Sequence, residues 1–208
     1  MIDKLLLDLA WYYNLTRPRK NFKLPFIILK NVLVRESFSI VFFYRFSYYF
    51  HDKIRLISKL LEFFIKIRYS STISSTAEMK GGLRFPHPYG ITIGGGVIID
   101  RMVTIGQNVT IGGNFGIKNI DGRTTPKIGA WSVISANSVI AGPIKIGKDV
   151  IIGANSVVTK NIDCHMIASG NPVRVLREKE VAVDNKAMRI LNQIYFGYSR
   201  KLVEEIGK

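Results

Sequence analysis

The chain has 208 residues, a formal net charge of +15 and a single cysteine, Cys164. This length fits one medium domain, or one domain with an appendage. The lone cysteine excludes an intramolecular disulfide framework, and the modest proline content argues against collagen-like or disordered chains.

The N-terminal third, residues 1–70, is basic and aromatic. It carries 13 Lys and Arg against 5 Asp and Glu, and 16 of the 23 aromatic residues. Such a segment suits nucleic acid or an anionic membrane surface, and we favour the membrane because the aromatics lie among long aliphatic residues. An equally open interpretation is that these aromatics only pack helices together. We expect no nucleic-acid partner.

No apolar run approaches the roughly 20 residues that span a bilayer, and no secretion signal is recognisable. We therefore expect a cytoplasmic protein that contacts the inner membrane face peripherally. Helices are predicted near Asp3–Leu15, Pro25–Val34, Ser37–Phe50 and Lys53–Tyr69, with a final amphipathic helix at about Asp184–Glu205.

An internal repeat of six residues dominates the middle of the chain. The repeated aliphatic positions are Ile93, Ile99, Ile105, Ile111 and Ile117, then Ile128, Ile134, Ile140, Ile146, Ile152 and Val158, with a weaker earlier phase at Ile73, Met79, Phe85 and Ile91. This period fits neither a helix nor a simple strand. It predicts a solenoid with triangular coils, whose inward side chains stack from coil to coil.

The predicted fold class is mainly β, a parallel β-helix preceded and followed by helices. We predict a helical region at 1–70, the solenoid at 71–175 and a helical tail at 176–208. The repeat loses its phase twice, by two residues between Ile91 and Ile93 and by five between Ile117 and Ile128. Because a regular solenoid can build a pocket only at such excursions, we expect the site there.

His87 lies just before the first phase break, in Phe85-Pro86-His87-Pro88-Tyr89-Gly90. Acyl transfer to a hydroxyl needs a general base and backbone donors for the oxyanion, and an imidazole suits the first role near neutral pH. The glycines at 112–113 suit the second. A corner histidine that only hydrogen-bonds to backbone is the alternative.

Five strings together are similar to one family. They are residues 83–90, 109–113, 125–129, 152–160 and 170–175. With them, residues 71–177 resemble the serine acetyltransferase branch of the hexapeptide-repeat acyltransferases, including relatives that acetylate polysaccharide sugars.

The resemblance implies a left-handed β-helix, a homotrimer, acetyl-CoA as co-substrate and no metal. It implies His87 as general base and Gly113 at the oxyanion. It also implies small residues of the CoA groove at Ala136 and Ala154, and basic contacts to the CoA phosphates at Lys160 and Arg174. For the two basic residues, solvated surface charge is the alternative.

Two departures from the family predict a different acceptor. Thr125 stands where serine acetyltransferases have a second active-site histidine, and the stretch 72–75 lacks their carboxylate. The longer loop offers Asp121 and Arg123 as the only local candidates for a pair of fixed opposite charges, with Thr125 beside them, and we predict that these three residues contact the acceptor. We therefore predict O-acetylation of a sugar in a capsule, lipopolysaccharide or exopolysaccharide precursor, with a possibly lipid-linked acceptor.

Three other functions are weighed against this one. Serine O-acetylation for cysteine biosynthesis is the alternative within the same enzyme class. A metal-dependent hydratase needs several histidines at one height, and His87 and His165 lie many coils apart. A non-catalytic scaffold would not require His87.

Overall fold

The computed structural model describes residues 1–11 and 23–179. Four helices come first: α1 (Ile2–Ala10), α2 (Leu24–Val34), α3 (Glu36–Phe50) and α4 (Arg55–Tyr69). Their bounds lie close to the predicted segments. The part of the first predicted helix beyond residue 11, and the whole predicted C-terminal helix, lie outside the described residues, and the proposed domain boundaries stay a prediction.

Fourteen short strands follow in the described part of the chain. They are β1 (Thr72–Ile73), β2 (Glu78–Met79), β3 (Thr92–Ile93), β4 (Ile98–Ile99), β5 (Thr104–Ile105), β6 (Thr110–Gly112), β7 (Lys127–Ile128), β8 (Val133–Ile134), β9 (Val139–Ala141), β10 (Lys145–Ile146), β11 (Ile151–Ile152), β12 (Val157–Val158), β13 (Met166–Ser169) and β14 (Arg174–Glu178).

The strands form the three faces of a left-handed parallel β-helix, which confirms the predicted fold class. The first face is β1-β3-β6-β9-β12, the second is β2-β4-β7-β10, and the third is β5-β8-β11-β13-β14. All neighbours pair in parallel except β14, which runs antiparallel to β13 and ends the stack.

Stacked aliphatic side chains fill the interior of the prism. Every repeat position predicted from Ile73 to Val158, apart from Ile117, is at most 1 % exposed. Equivalent residues pair directly between coils, as Ile93 does with Ile111 and Ile111 with Ile140. The six-residue period therefore records the length of one face, and each coil buries its apolar side chains only against the next.

Ile117 is the exception, and its predicted place in the stack is wrong. Its side chain is 55 % exposed, because the chain leaves the prism after β6 and returns only at β7. The excursion thus covers residues 113–126 and begins five residues earlier than the phase count indicated. The six-residue spacing from Ile111 to Ile117 is a coincidence within this loop.

The helices close the first coil of the prism. Ile40, Tyr44, Ile65 and Tyr69 belong to the same buried cluster as the stacked residues of the β-helix. The Tyr44 hydroxyl donates a 2.7 Å hydrogen bond to the Ala77 carbonyl, and burial raises the pKa of that phenol far above its usual range. No helix in the described ranges is long and apolar enough to cross a membrane.

A buried ion pair joins α1, α3 and the first coil. The Arg45 Nε donates to Asp8 Oδ2 at 3.0 Å, with side-chain exposures of 3 % and 0 %. The carboxylate also accepts from the backbone amides of residues 82 and 83, and the guanidinium donates to the carbonyls of residues 79 and 80. Because these extra bonds satisfy both charges, the pair can remain out of water.

Replacing Asp8 by Asn should therefore destabilise the protein strongly. The change leaves the Arg45 charge buried without a counter-ion, which typically costs about 3–5 kcal/mol. The measurement is the free energy of unfolding from urea titrations followed by circular dichroism.

Lys80→Gln is the matched control, since it removes an exposed ion pair to Asp100 at 3.3 Å. Such pairs contribute at most about 1 kcal/mol. Equal losses in the two variants would contradict the structural role of the buried pair.

Candidate functional site

The candidate site residues lie along two different edges of the prism. The His87 edge joins the third face to the first and contains corners at residues 86–90, 106–109, 135–137 and 153–155. The loop edge joins the first face to the second and contains the excursion 113–126 and the corner 159–161. The face between these edges is about 13 Å wide, since the chain takes four extended steps of about 3.3 Å from Asn108 to Gly112.

The His87 edge is a regular ladder of turns. The amides of Asn108, Asn137 and Asn155 each bond to a carbonyl of the coil below, at 2.9–3.0 Å. All three asparagines have left-handed φ angles of 55–62°, a conformation that asparagine tolerates better than most residues. Gly90 takes the same corner in the first coil at φ +67°, where a Cβ would meet the Asn108 side chain at 2.1 Å.

The His87 side chain is exposed on this ladder. Its ring makes no hydrogen bond within residues 1–11 and 23–179, so the imidazole is available to a ligand. The backbone holds it, because the Tyr89 amide donates to the His87 carbonyl at 2.9 Å and a proline on each side restricts the chain. This arrangement favours a chemical role over the alternative of a corner histidine bonded to backbone.

Ser71 holds the loop that carries His87. Its fully buried hydroxyl accepts from the Ile91 amide at 3.0 Å and lies 2.9 Å from the Pro88 carbonyl and 3.0 Å from the Tyr69 carbonyl, between which its proton is shared. The Gly90 amide also donates to the Tyr69 carbonyl, at 3.3 Å. The end of α4 therefore fixes both sides of the loop at residues 86–91.

A second contact ties Tyr89 to the helices. The Tyr89 hydroxyl donates to Glu36 Oε2 at 2.6 Å, and Arg68 Nη2 donates to Glu36 Oε1 at 2.8 Å. The hydrogen bond from Tyr89, followed by that from Arg68, lowers the pKa of Glu36, and the same bond raises the pKa of Tyr89. The carboxylate is thus charged at neutral pH and joins α3, α4 and the His87 loop.

Ala136 and Ala154 lie on the same edge as His87. Ala136 is half-buried and Ala154 exposed. With about 4.8 Å between coils, they stand roughly 10 and 14 Å along the edge from His87. Arg174 lies beyond them, opposite Ser169 in the closing antiparallel pair. A row of small side chains that ends at a cation is suited to an extended ligand with a phosphate end.

The remaining candidates, Gly113, Asp121, Arg123, Thr125 and Lys160, lie on the loop edge. Gly113 is exposed, and its amide donates no hydrogen bond within the described part of the chain. Thr125 Oγ1 donates to the Gly96 carbonyl at 2.7 Å, so its hydroxyl already has a structural partner. Within one chain, Gly113 and His87 therefore lie on different edges, and the fold does not bring these two predicted site residues together.

The loop presents two opposite charges that do not pair with each other. Asp121 Oδ2 accepts a long 3.4 Å contact from Asn119 Nδ2, and the Arg123 amide donates to Asn119 Oδ1 at 2.8 Å. Neither charged side chain forms an ion pair with another described residue. Phe115 and Ile120, on the same loop, are fully exposed.

The comparisons with known proteins agree with this fold. A family described as bacterial transferase hexapeptide (six repeats) matches residues 125–160. The serine acetyltransferase of Haemophilus influenzae is 30 % identical over 167 residues, which cover 80 % of this chain and 60 % of that protein.

Two solved structures are also similar. A serine acetyltransferase in complex with cysteine has a TM-score of 0.71 and 28 % identity, covering 87 % of this chain and 67 % of that one. A serine acetyltransferase in complex with CoA has a TM-score of 0.68 and 27 % identity, covering 84 % and 69 %.

The chain is similar to hexapeptide-repeat acyltransferases in its repeat, its fold and its sequence. It spans 54–60 % of the length of three curated serine acetyltransferases that it matches. The predicted enzyme class, an acetyl-CoA-dependent O-acetyltransferase, agrees with the names of these relatives.

The predicted sugar acceptor is wrong, because the curated relatives are named serine acetyltransferases. An amino-acid zwitterion needs one anionic and one cationic partner, and the loop presents Asp121 and Arg123 unpaired with each other. The missing second histidine at Thr125 therefore does not exclude a serine-binding loop.

Sequence reasoning missed Ser71, Tyr89, Glu36 and Arg68 as the residues that hold the His87 loop. Their partners lie 17–53 residues away in the sequence, and no local motif connects them. Only the position of Ser71 at the start of the repeats offered a signal.

Ser71→Ala should lower turnover through the position of His87. The change leaves the buried Ile91 amide without its acceptor, which costs about 1–3 kcal/mol and loosens the loop. We expect kcat to fall about tenfold and the KM for acetyl-CoA to change less than twofold in steady-state assays.

Ser132→Ala is the matched control. The buried Ser132 hydroxyl also accepts from an amide, that of Val150, and donates to a carbonyl, but far from His87. A similar loss of stability with unchanged kcat is expected there. If both variants lose kcat equally, the positioning role of Ser71 is refuted.

Proposed function

We propose that this protein is an O-acetyltransferase that transfers the acetyl group of acetyl-CoA to the hydroxyl of L-serine. The observation that carries the proposal is the His87 imidazole, which is exposed and makes no hydrogen bond to the described residues. It lies at one end of the row of small residues formed by Ala136 and Ala154. The serine acceptor is supported by the relatives' names and by the unpaired charges of Asp121 and Arg123.

The chemistry follows from the groups available. His87 accepts the proton of the serine hydroxyl, whose oxygen attacks the thioester carbonyl carbon. The Gly113 amide stabilises the negative charge that develops on the carbonyl oxygen, as preorganised backbone donors do. When the carbon–sulfur bond breaks, His87 returns its proton to the departing thiolate, so the base is regenerated.

We further propose that the active unit is a homotrimer, with each site formed between two protomers. His87 and Gly113 lie on different edges of one prism, so a neighbouring protomer must supply the second edge to complete the site. The exposed apolar side chains of Phe115 and Ile120 give the loop a surface with which to contact that neighbour.

The proposed ligand fits the residues present. Ala136 and Ala154 leave room for a narrow pantetheine arm along the His87 edge. Arg174 and Lys160 are exposed and form no ion pair with other described residues, so their charges are available to the CoA phosphates. Arg174 lies at the end of the His87 edge, whereas Lys160 would act from the loop edge of the adjoining protomer.

His87→Ala should lower kcat/KM for L-serine by about 10²- to 10⁴-fold, the usual contribution of a general base. The affinity for CoA should remain within about twofold, because the groove residues are unchanged. The measurements are thiol release from acetyl-CoA with L-serine and calorimetric binding of CoA.

Glycine, which lacks a hydroxyl, and D-serine serve as acceptor controls for the wild-type protein. Turnover with L-serine that depends on His87 supports the proposal. An intact oligomer that binds CoA but does not acetylate L-serine would refute the acceptor.

Arg123→Gln should raise the KM for L-serine by about tenfold or more while leaving the KM for acetyl-CoA unchanged, because the variant removes the cation for the serine carboxylate. Lys118→Gln is the matched control, as Lys118 is an exposed basic residue of the same loop. Equal effects of the two variants in initial-rate measurements would argue for a general effect of loop charge instead.

A further inference from the structure

Helix α4 presents its apolar residues to solvent. It packs on the protein through Ser58, Ile65 and Tyr69, which are buried. The side chains on the opposite face are Leu56, Leu60, Phe63 and Ile67, exposed by 71 %, 57 %, 60 % and 67 %. At 100° per residue these four lie within an arc of about 60°. A surface helix of a soluble protein normally places polar residues there.

Helix α2 shows the same arrangement. Its exposed residues include Phe26, Leu29, Leu33 and Val34, with exposures of 55–75 %. Both helices pack against α3, and we call α2, α3 and α4 together the helical layer. We call these two surfaces the outer apolar faces of α2 and α4.

Basic residues accompany both faces. Arg55 and Lys66 lie beside the face on α4, and neither pairs with an acidic residue in the described part of the chain. Lys59 lies on the same side and pairs at 2.6 Å with Glu62, which is the only acidic residue of the helix. Helix α2 carries Lys30 within its exposed face and contains no Asp or Glu. Long basic side chains can extend past an apolar face to reach charged groups at its border.

We propose that the outer apolar faces of α2 and α4 bind the surface of an anionic phospholipid bilayer. The helices lie in the interface, with Leu56, Leu60, Phe63 and Ile67 among the acyl chains and the basic residues at the lipid phosphates. Apolar area and attraction to anionic lipid are the two terms that hold such helices at a membrane.

Charge complementarity favours lipid over a second copy of this chain as the occupant. Residues 1–70 carry a net charge of +8, so two copies joined through these faces would bring like charges together. The segment 180–208 has 5 basic and 4 acidic residues and offers little negative charge to match the basic borders. A bilayer that contains anionic lipid supplies both the apolar layer and the opposite charge.

The test is flotation of the full-length protein with vesicles. We expect binding to vesicles of phosphatidylglycerol and phosphatidylcholine, and little binding to phosphatidylcholine alone. The double variant Leu60→Gln/Phe63→Gln should bind the anionic vesicles about tenfold or more weakly. Arg55→Gln/Lys66→Gln should weaken binding at low salt and have less effect at high salt, where charge is screened.

Val175→Gln/Leu176→Gln is the matched control, since it removes two exposed apolar side chains from β14, on the opposite part of the fold. Its binding should stay within twofold of wild type. Circular dichroism checks that each variant is folded, and acetyl transfer to L-serine in solution is measured separately, so failure of this proposal is distinguishable from failure of the proposed function.

Three results would overturn the proposal. The first is no binding of wild-type protein to anionic vesicles. The second is equal loss of binding in the α4 and β14 double variants. The third is that the wild-type protein binds no vesicles and that Leu60→Gln/Phe63→Gln forms a smaller oligomer than wild type by light scattering. That result would assign the faces to a second copy of the chain.

Discussion

Stacking of inward aliphatic side chains between successive coils is the interaction on which the rest of this structure depends. One coil has two-residue strands that can pair only with the coils above and below, and its isoleucines are buried only by their counterparts there. The helices end this stack at its first coil, where Tyr44 and the Asp8–Arg45 pair satisfy backbone groups that lack a preceding coil. Helical region and prism therefore share one core.

A rigid prism restricts chemistry to its edges. Side chains on the faces point either into the stack or outward into solvent. A corner, in contrast, can turn backbone amides outward or extend into a loop. His87 and Gly113 occupy two such corners separated by the width of one face, so flexing within a protomer cannot join them without breaking the stack. In the proposed mechanism, the repeat that makes the fold stable is thus also the reason that the site needs a second protomer.

The sequence predicted the parts of the molecule whose cause is local or periodic. The six-residue repeat predicts the burial of the aliphatic positions from Ile93 to Val158. The predicted bounds of the described helices lie within a few residues of the observed ones. The repeat mispredicts Ile117, since the six-residue spacing continues by chance into a loop whose side chains leave the stack. The predicted acceptor was also wrong, because a missing histidine at Thr125 does not decide which acceptor fits a loop that presents the opposite charges of Asp121 and Arg123. Contacts such as Tyr89–Glu36 join segments that are distant in the sequence, so they produce no periodic pattern from which they could be predicted.

The helical layer connects its two surfaces through a short path. The C-terminal turn of α4 carries Ile67 on the outer apolar face, Arg68 in the contact to Glu36 and Tyr69 against the His87 loop. Three consecutive residues thus point to the outside, to α3 and to the first coil. Because α4 is packed firmly on α3 and on β1, a surface that holds the outer face also fixes the orientation of the His87 edge relative to that surface. The helical layer therefore supports the prism in one orientation and does not act as a flexible linker.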